Sequence, residues 1–125
     1  MKIWVDDERP MPWTDGIRDI TRIHATTSEE AIQWLEAWRR NNAQRDRPLG
    51  YMVDEVSLDH DLGGDDTGMK VLDWMIEHEV WPQELTIHTS NPPARKQMLA
   101  AANAEAPEWV NISVIYDHLK KEDSE

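Results

Sequence analysis

Cysteine and phenylalanine are absent from the 125 residues, and glycine occurs only 5 times. Without thiols the chain has no disulfides, no thiolate metal sites and no cysteine nucleophile. It contains no run of about 18 apolar residues and therefore no candidate membrane helix. The opening Met1-Lys2-Ile3-Trp4-Val5-Asp6 turns acidic too soon for a secretory leader. A soluble, cytoplasmic protein with no membrane partner is the expectation. Positive charge is scarce as well: 13 Lys and Arg stand against 25 Asp and Glu, a formal net charge of -12. Such a field repels polyphosphates and disfavours double-stranded DNA, so a phosphate needs a divalent cation or a local basic pocket to come in. Bulky apolar material, in contrast, is plentiful, at 39% hydrophobic residues with 7 Trp. That excludes disorder throughout, and the length fits one domain around one core.

Residues 2–5 are a short apolar run halted by Asp6-Asp7-Glu8, the pattern of a buried strand that ends in an acidic loop. Pro10, Pro12 and Gly16 argue against a helix in the stretch that follows. A second strand is expected over 19–24. Thr27 or Ser28 can then cap a helix with Glu29 and Glu30 in its first turn and Ala31, Trp34, Leu35 and Trp38 at i, i+3, i+4 and i+7. Arg39, Arg40, Arg45 and Arg47 gather near its end, where a helix favours cations, before Pro48 and Gly50. Further strands are expected over 51–58, 85–89 and 109–116. One intervening helix is opened by Thr67 or Gly68 and stops before Trp81-Pro82; the other is introduced by an Asn91 cap and two prolines. This order predicts an α/β domain over 1–117 built on a five-stranded parallel sheet, with a charged tail over 118–125. In such sheets ligands bind outside the carboxyl ends of the strands.

The unusual residues collect at those ends. Asp6 and Asp7 close the first strand, Asp59 and Asp61 the third, and His88-Thr89-Ser90-Asn91 the fourth. If the strands are neighbours, four carboxylates converge, and either some of their pKa values rise or a cation sits among them. Hard oxygen donors without cysteine select Mg²⁺, Mn²⁺ or Ca²⁺ over zinc. Mg²⁺ commonly completes its shell with water and phosphate oxygens, which suits a phosphorylated substrate or a phosphoenzyme.

Asp6-Asp7, Ser57-Leu58-Asp59 and Thr89 together resemble the receiver domain of response regulators. Asp6-Asp7-Glu8-Arg9-Pro10, Ser57-Leu58-Asp59-His60-Asp61-Leu62-Gly63, Thr67-Gly68 and His88-Thr89-Ser90-Asn91-Pro92 with Arg95 more specifically resemble the cyclic-phosphate processing receiver domain. The resemblance implies a receiver-like, flavodoxin-type three-layer fold with strand order 2-1-3-4-5. It also implies metal-assisted hydrolysis of cyclic or terminal phosphates on a phosphorylated small molecule or an RNA end. Carried over residue by residue, Asp6, Asp7 and Asp59 would hold the metal, with Asp59 also at the phosphoacceptor position. His60 or His88 could move a proton, with Asp61 alongside. Thr89 and Asn91 could donate to a phosphoryl oxygen, and Arg95 could clamp it. The chain departs from ordinary receivers in three places. Residues 110–117 hold no lysine, the first helix gives way to a proline-bearing loop, and the tail offers no last helix.

Two other classes of function fit the sequence: a phosphorylation-responsive signalling domain with Asp59 as acceptor, and a non-enzymatic acidic module or inhibitor that captures a protein partner. Structural roles account for other residues. His24, His78 and His118 lack acidic or nucleophilic companions at a strand end, Asp65 and Asp66 read as solvated loop charge, and the arginines read as helix-end cations. Trp4 reads as core, and Trp34, Trp38 and Trp74 as core or subunit interface. His88 stands evenly between a core histidine and a functional one.

Overall fold

A computed structural model of the protein describes residues 1–13, 22–43 and 53–115. Its elements run β1 (Lys2–Val5), β2 (Arg22–Ala25), α1 (Ser28–Ala43), β3 (Glu55–Leu58), α2 (Met69–His78), β4 (Glu84–Ile87), α3 (Pro92–Glu105) and β5 (Asn111–Val114). The five strands are parallel in the order β2-β1-β3-β4-β5, as expected. β4 begins one residue before the expected segment and β5 two residues inside it. The first residues of the expected second and third strands, and the expectations on Arg45, Arg47, Tyr116, His118 and the tail, lie outside the described residues.

Alternation along each strand divides the sheet into two unlike faces. Ile3, Val5, Val56, Leu58, Leu85 and Ile87 point to one side and join Ala31, Leu35, Val71, Leu72, Met75 and Met98 from the helices in a single buried cluster. α1 packs on α2 and α2 on α3, so the three helices lie side by side over this face. Each fully buried aliphatic side chain there contributes roughly 1.5–3 kcal/mol of transfer free energy. The register sets Trp4 beside Ser57 and Ser57 beside Thr86, and these three point the other way. The expected loss of a helix between β1 and β2 and of one after β5 concerns segments that lie largely in 14–21 and 116–125, outside the described residues. With His24 beside Trp4 in the same register, the opposite face is largely polar.

Helix caps follow the sequence closely. The Thr27 hydroxyl accepts from the Glu30 N–H at 3.1 Å, and the Asn91 side chain accepts from the Ala94 N–H at 3.2 Å, each closing a free donor of the first turn. Ser28 instead donates its hydroxyl to Asp66 at 2.5 Å while its N–H reaches the same carboxylate at 2.8 Å. Asp66 therefore ties the start of α1 to the loop after β3, and its reading as plain solvated charge is corrected. Trp34 is 44% exposed and lies outside the core, whereas Trp38 and Trp74 pack against it.

Candidate active site

The register that orders the sheet also builds the site. Val5 pairs with Leu58 and Leu58 with Ile87, so the next residues, Asp6, Asp59 and His88, fall side by side. Backbone bonds carry the ladder through them: Asp59 N–H donates to Val5 O and His88 N–H to Leu58 O, both at 2.9 Å. Being one residue past Val5, Leu58 and Ile87, they share the polar side of the sheet with Trp4, Ser57 and Thr86.

Carboxylate oxygens of Asp6, Asp7 and Asp59 all lie within 4.8 Å of one another. Asp6 is fully buried, Asp59 is buried and Asp7 is exposed. Asp61 does not join them, so among the described residues three carboxylates converge rather than four. Asp61 turns instead to its neighbour, with Oδ1 2.9 Å from His60 Nδ1, and Oδ2 faces Asn91 Nδ2 at 3.5 Å. The sequence separates these acids poorly, because adjacent loop residues diverge once the strand ends.

Asp6 is held on every side. Oδ1 accepts the N–H groups of Glu8 at 2.8 Å and Arg9 at 2.9 Å, while Oδ2 accepts from His88 Nε2 at 3.0 Å and lies 3.5 Å from Arg9 Nη1. Burial alone would raise the Asp6 pKa, but these hydrogen bonds and the His88 ring outweigh it and hold the carboxyl below the ordinary range. Asp59 moves the opposite way. Burial, then the adjacent Asp6 charge, push it up, and its one bond from the His60 N–H at 2.8 Å does not compensate. The two acids are thus driven apart, Asp6 toward its ionised form and Asp59 toward its protonated one.

The loop after β3 approaches its surroundings closely at two glycines. Gly68 donates its N–H to His60 O at 2.7 Å, and a Cβ built there would sit 1.9 Å from Asp59 O. Only glycine lets the start of α2 lie against the Asp59-His60 backbone. Gly63 adopts φ +92°, and a Cβ there would meet Asp7 Oδ2 at 3.3 Å. Two residues past β4, Thr89 is buried with its hydroxyl accepting from the Asn91 N–H at 3.2 Å. Arg95 sits half-buried in the first turn of α3, its N–H on Asn91 O at 2.8 Å.

The cyclic-phosphate processing receiver domain, as a family model, matches residues 1–104. The chain belongs to that family. Comparison with curated proteins and with solved structures gave no match. The donors of this receiver domain fit a hard divalent cation: three oxygen ligand groups, one pushed toward protonation by burial and by the Asp6 charge, which a cation would offset. The weakest contact on Asp6, the 3.5 Å approach of Arg9, is also the one an ion could most readily displace.

Several residues that shape the site carry little local signal. His24, read as structural, holds the Asp6 backbone carbonyl through Nε2 at 2.8 Å. Arg9 Nη1 bonds the His88 carbonyl at 2.9 Å and brings a cation beside the acids. Ser57 meets His88 Nδ1 at 2.8 Å, and Trp4 stacks on the same ring. Period-two alternation in β1 and β3 could have placed Trp4 and Ser57 on the face of the acids; nothing local announces Arg9. Among the described residues no helix is long and apolar enough to cross a membrane.

Proposed function

We propose that this receiver domain is a divalent-metal-dependent phosphoesterase that opens a cyclic phosphate, or cleaves a terminal one, on a nucleotide or RNA end. The observation that carries the reading is the convergence of three carboxylates from two adjacent strand ends within 4.8 Å, in a family tied to cyclic-phosphate processing. Asp6, Asp7 and Asp59 would hold Mg²⁺, with Mn²⁺ or Ca²⁺ as the other hard ions suited to such donors. A bound ion would supply countercharge for phosphoryl oxygens and acidify a coordinated water.

The chain's own groups divide the remaining work. His60 has Nδ1 engaged by Asp61, which leaves Nε2 to receive a proton or pass one to the departing oxygen. Asn91 Nδ2 spends one N–H toward Asp61 and keeps a second for a phosphoryl oxygen. Thr89 would donate to a phosphoryl oxygen, and Arg95 would clamp it bidentately. In the hydrolysis, water oxygen bonds to phosphorus, one ring P–O bond breaks, and the released oxygen takes a proton to leave a phosphomonoester beside a free hydroxyl. His88 is 3% exposed with both ring nitrogens engaged, so the proton role passes to His60.

A switch based on phosphorylating Asp59 has less behind it, because residues 110–117 lack the lysine of ordinary receivers. Capture of a protein partner rests on the net charge of -12 alone. The test is a metal titration followed by turnover of 2',3'-cyclic and terminally phosphorylated nucleotides, with Asp59→Asn in parallel. Metal-dependent turnover abolished by the substitution is expected; turnover that survives it refutes the assignment.

A further inference from the structure

The proton-transfer scheme leaves the buried His88 unused, yet both its ring nitrogens and its ring face are engaged. Its ring stacks on Trp4 at a centroid separation of 3.9 Å and an interplanar angle of 6°. Nδ1 faces the Ser57 hydroxyl at 2.8 Å and Nε2 faces Asp6 Oδ2 at 3.0 Å. Trp4 is itself anchored, its indole N–H donating to Arg9 O at 3.1 Å and its ring meeting the edge of Trp13 at 5.8 Å. The main chain is fixed too, by Arg9 Nη1 on the His88 carbonyl. An ionised Asp6 only accepts, so the proton on Nε2 points at the carboxylate. In the neutral ring the Ser57 hydroxyl supplies the hydrogen to Nδ1.

An aspartate carboxyl rotates over a broad range about its last torsion unless both oxygens are held. Asp6 Oδ1 is held by the backbone of Glu8 and Arg9, and His88 is the only neutral-capable group that holds Oδ2 at normal hydrogen-bond distance among the contacts described above. Carboxylates that ligate a metal are in turn held by hydrogen bonds from outer groups, which fix their orientation.

We propose that His88 is a positioning residue for the divalent cation: through the Trp4–His88–Ser57 assembly it fixes the orientation of Asp6 Oδ2 relative to Asp7 and Asp59. The inference rests on the metal reading above and adds a residue that touches neither ion nor substrate. The ring stays in place and no proton leaves it during turnover.

Calorimetric titration of the metal-free chain with Mg²⁺ and with Mn²⁺ tests this, alongside His88→Phe, His88→Gln and Ser57→Ala. Phe keeps the stack on Trp4 and removes both nitrogens; the Gln side-chain amide restores a donor toward Asp6. Phe is expected to weaken binding by roughly 10–100-fold, with Gln recovering most of it, since outer partners of metal ligands typically contribute on that scale. Near-ultraviolet circular dichroism of the tryptophans checks that each variant is folded. At saturating Mg²⁺ the turnover of His88→Phe should approach that of the unaltered chain, because the defect lies in holding the ion. A folded Phe variant that binds Mg²⁺ as tightly as the unaltered chain overturns the proposal, as does a Gln variant no better than Phe. Should Phe not fold, Ser57→Ala decides: weaker Mg²⁺ binding supports the proposal and unchanged binding overturns it. If the unaltered chain shows no binding that Asp59→Asn removes, the metal reading itself fails and takes this inference with it.

Discussion

Replacing Asp59 with Asn should make the metal-free protein more stable and the metal-loaded protein less so. Burial and the neighbouring Asp6 charge raise the Asp59 pKa. An acid with a raised folded-state pKa contributes its stability while protonated, below the ordinary carboxylate range, and loses it as the pH climbs through the raised value. Once ionised, the group is therefore a liability in the metal-free fold. Two unit charges within 4.8 Å of one another repel by about 3 kcal/mol or more at an effective dielectric constant of ~20. The Asp59 bond from His60 N–H, and the charges of His88 and Arg9, return part of this. Asn keeps an oxygen for the His60 N–H and drops the charge, so a net gain of about 1–2 kcal/mol is expected. For a domain of this size that corresponds to a rise in Tm of roughly 3–8 °C. Mg²⁺ at 100 times its Kd adds about 2.7 kcal/mol to a chain that binds it and nothing to one that does not. Scanning calorimetry in chelator and then in Mg²⁺ should show the two chains exchanging rank. A variant that melts lower than the unaltered chain in chelator, or that gains as much from Mg²⁺, refutes the reasoning.

Other perturbations separate the parts of the site. Gly68→Ala places a Cβ 1.9 Å from Asp59 O, so the backbone must shift; a loss of about 1–3 kcal/mol in chemical unfolding is expected, together with weaker Mg²⁺ binding. Asp66→Asn should cost about 1 kcal/mol at neutral pH, since the carboxylate accepts two bonds from Ser28. Burial tends to raise the Asp66 pKa, but those bonds and Lys70 prevail and lower it. Its stabilisation is accordingly present above the ordinary carboxylate range and lost as the pH falls through the lowered value, so denaturation curves of the two chains should converge in acid. His60→Gln should lower kcat by roughly 10²–10⁴-fold in the nucleotide turnover assay while leaving Mg²⁺ affinity unchanged in calorimetry. Loss of both together would assign His60 to the metal instead.

The strand ends were legible because apolar runs stop abruptly at acids, as at Val5-Asp6 and Leu58-Asp59, and parallel pairing then leaves little choice of neighbour. The Asn91 cap was equally local, a side chain three residues from the N–H it satisfies. What stayed hidden depends on contacts that cross the fold. His88 and Asp6 are 82 residues apart, His88 and Ser57 31, and Asp66 and Ser28 38. No periodicity reports such pairs. Its place in the chain puts Asp61 among the converging carboxylates, but outside the ladder its side chain follows the loop toward His60 and Asn91. Trp34 fell on the apolar spacing of α1 yet lies outward, because Ala31 and Leu35 already fill the contact with the core.

Anomalous diffraction from crystals grown with Mn²⁺ addresses the central claim most directly. One ion is predicted, at about 2.0–2.2 Å from oxygens of Asp6, Asp7 and Asp59, the distance small hard cations demand. An ion bound elsewhere, or none at saturating Mn²⁺, contradicts the account.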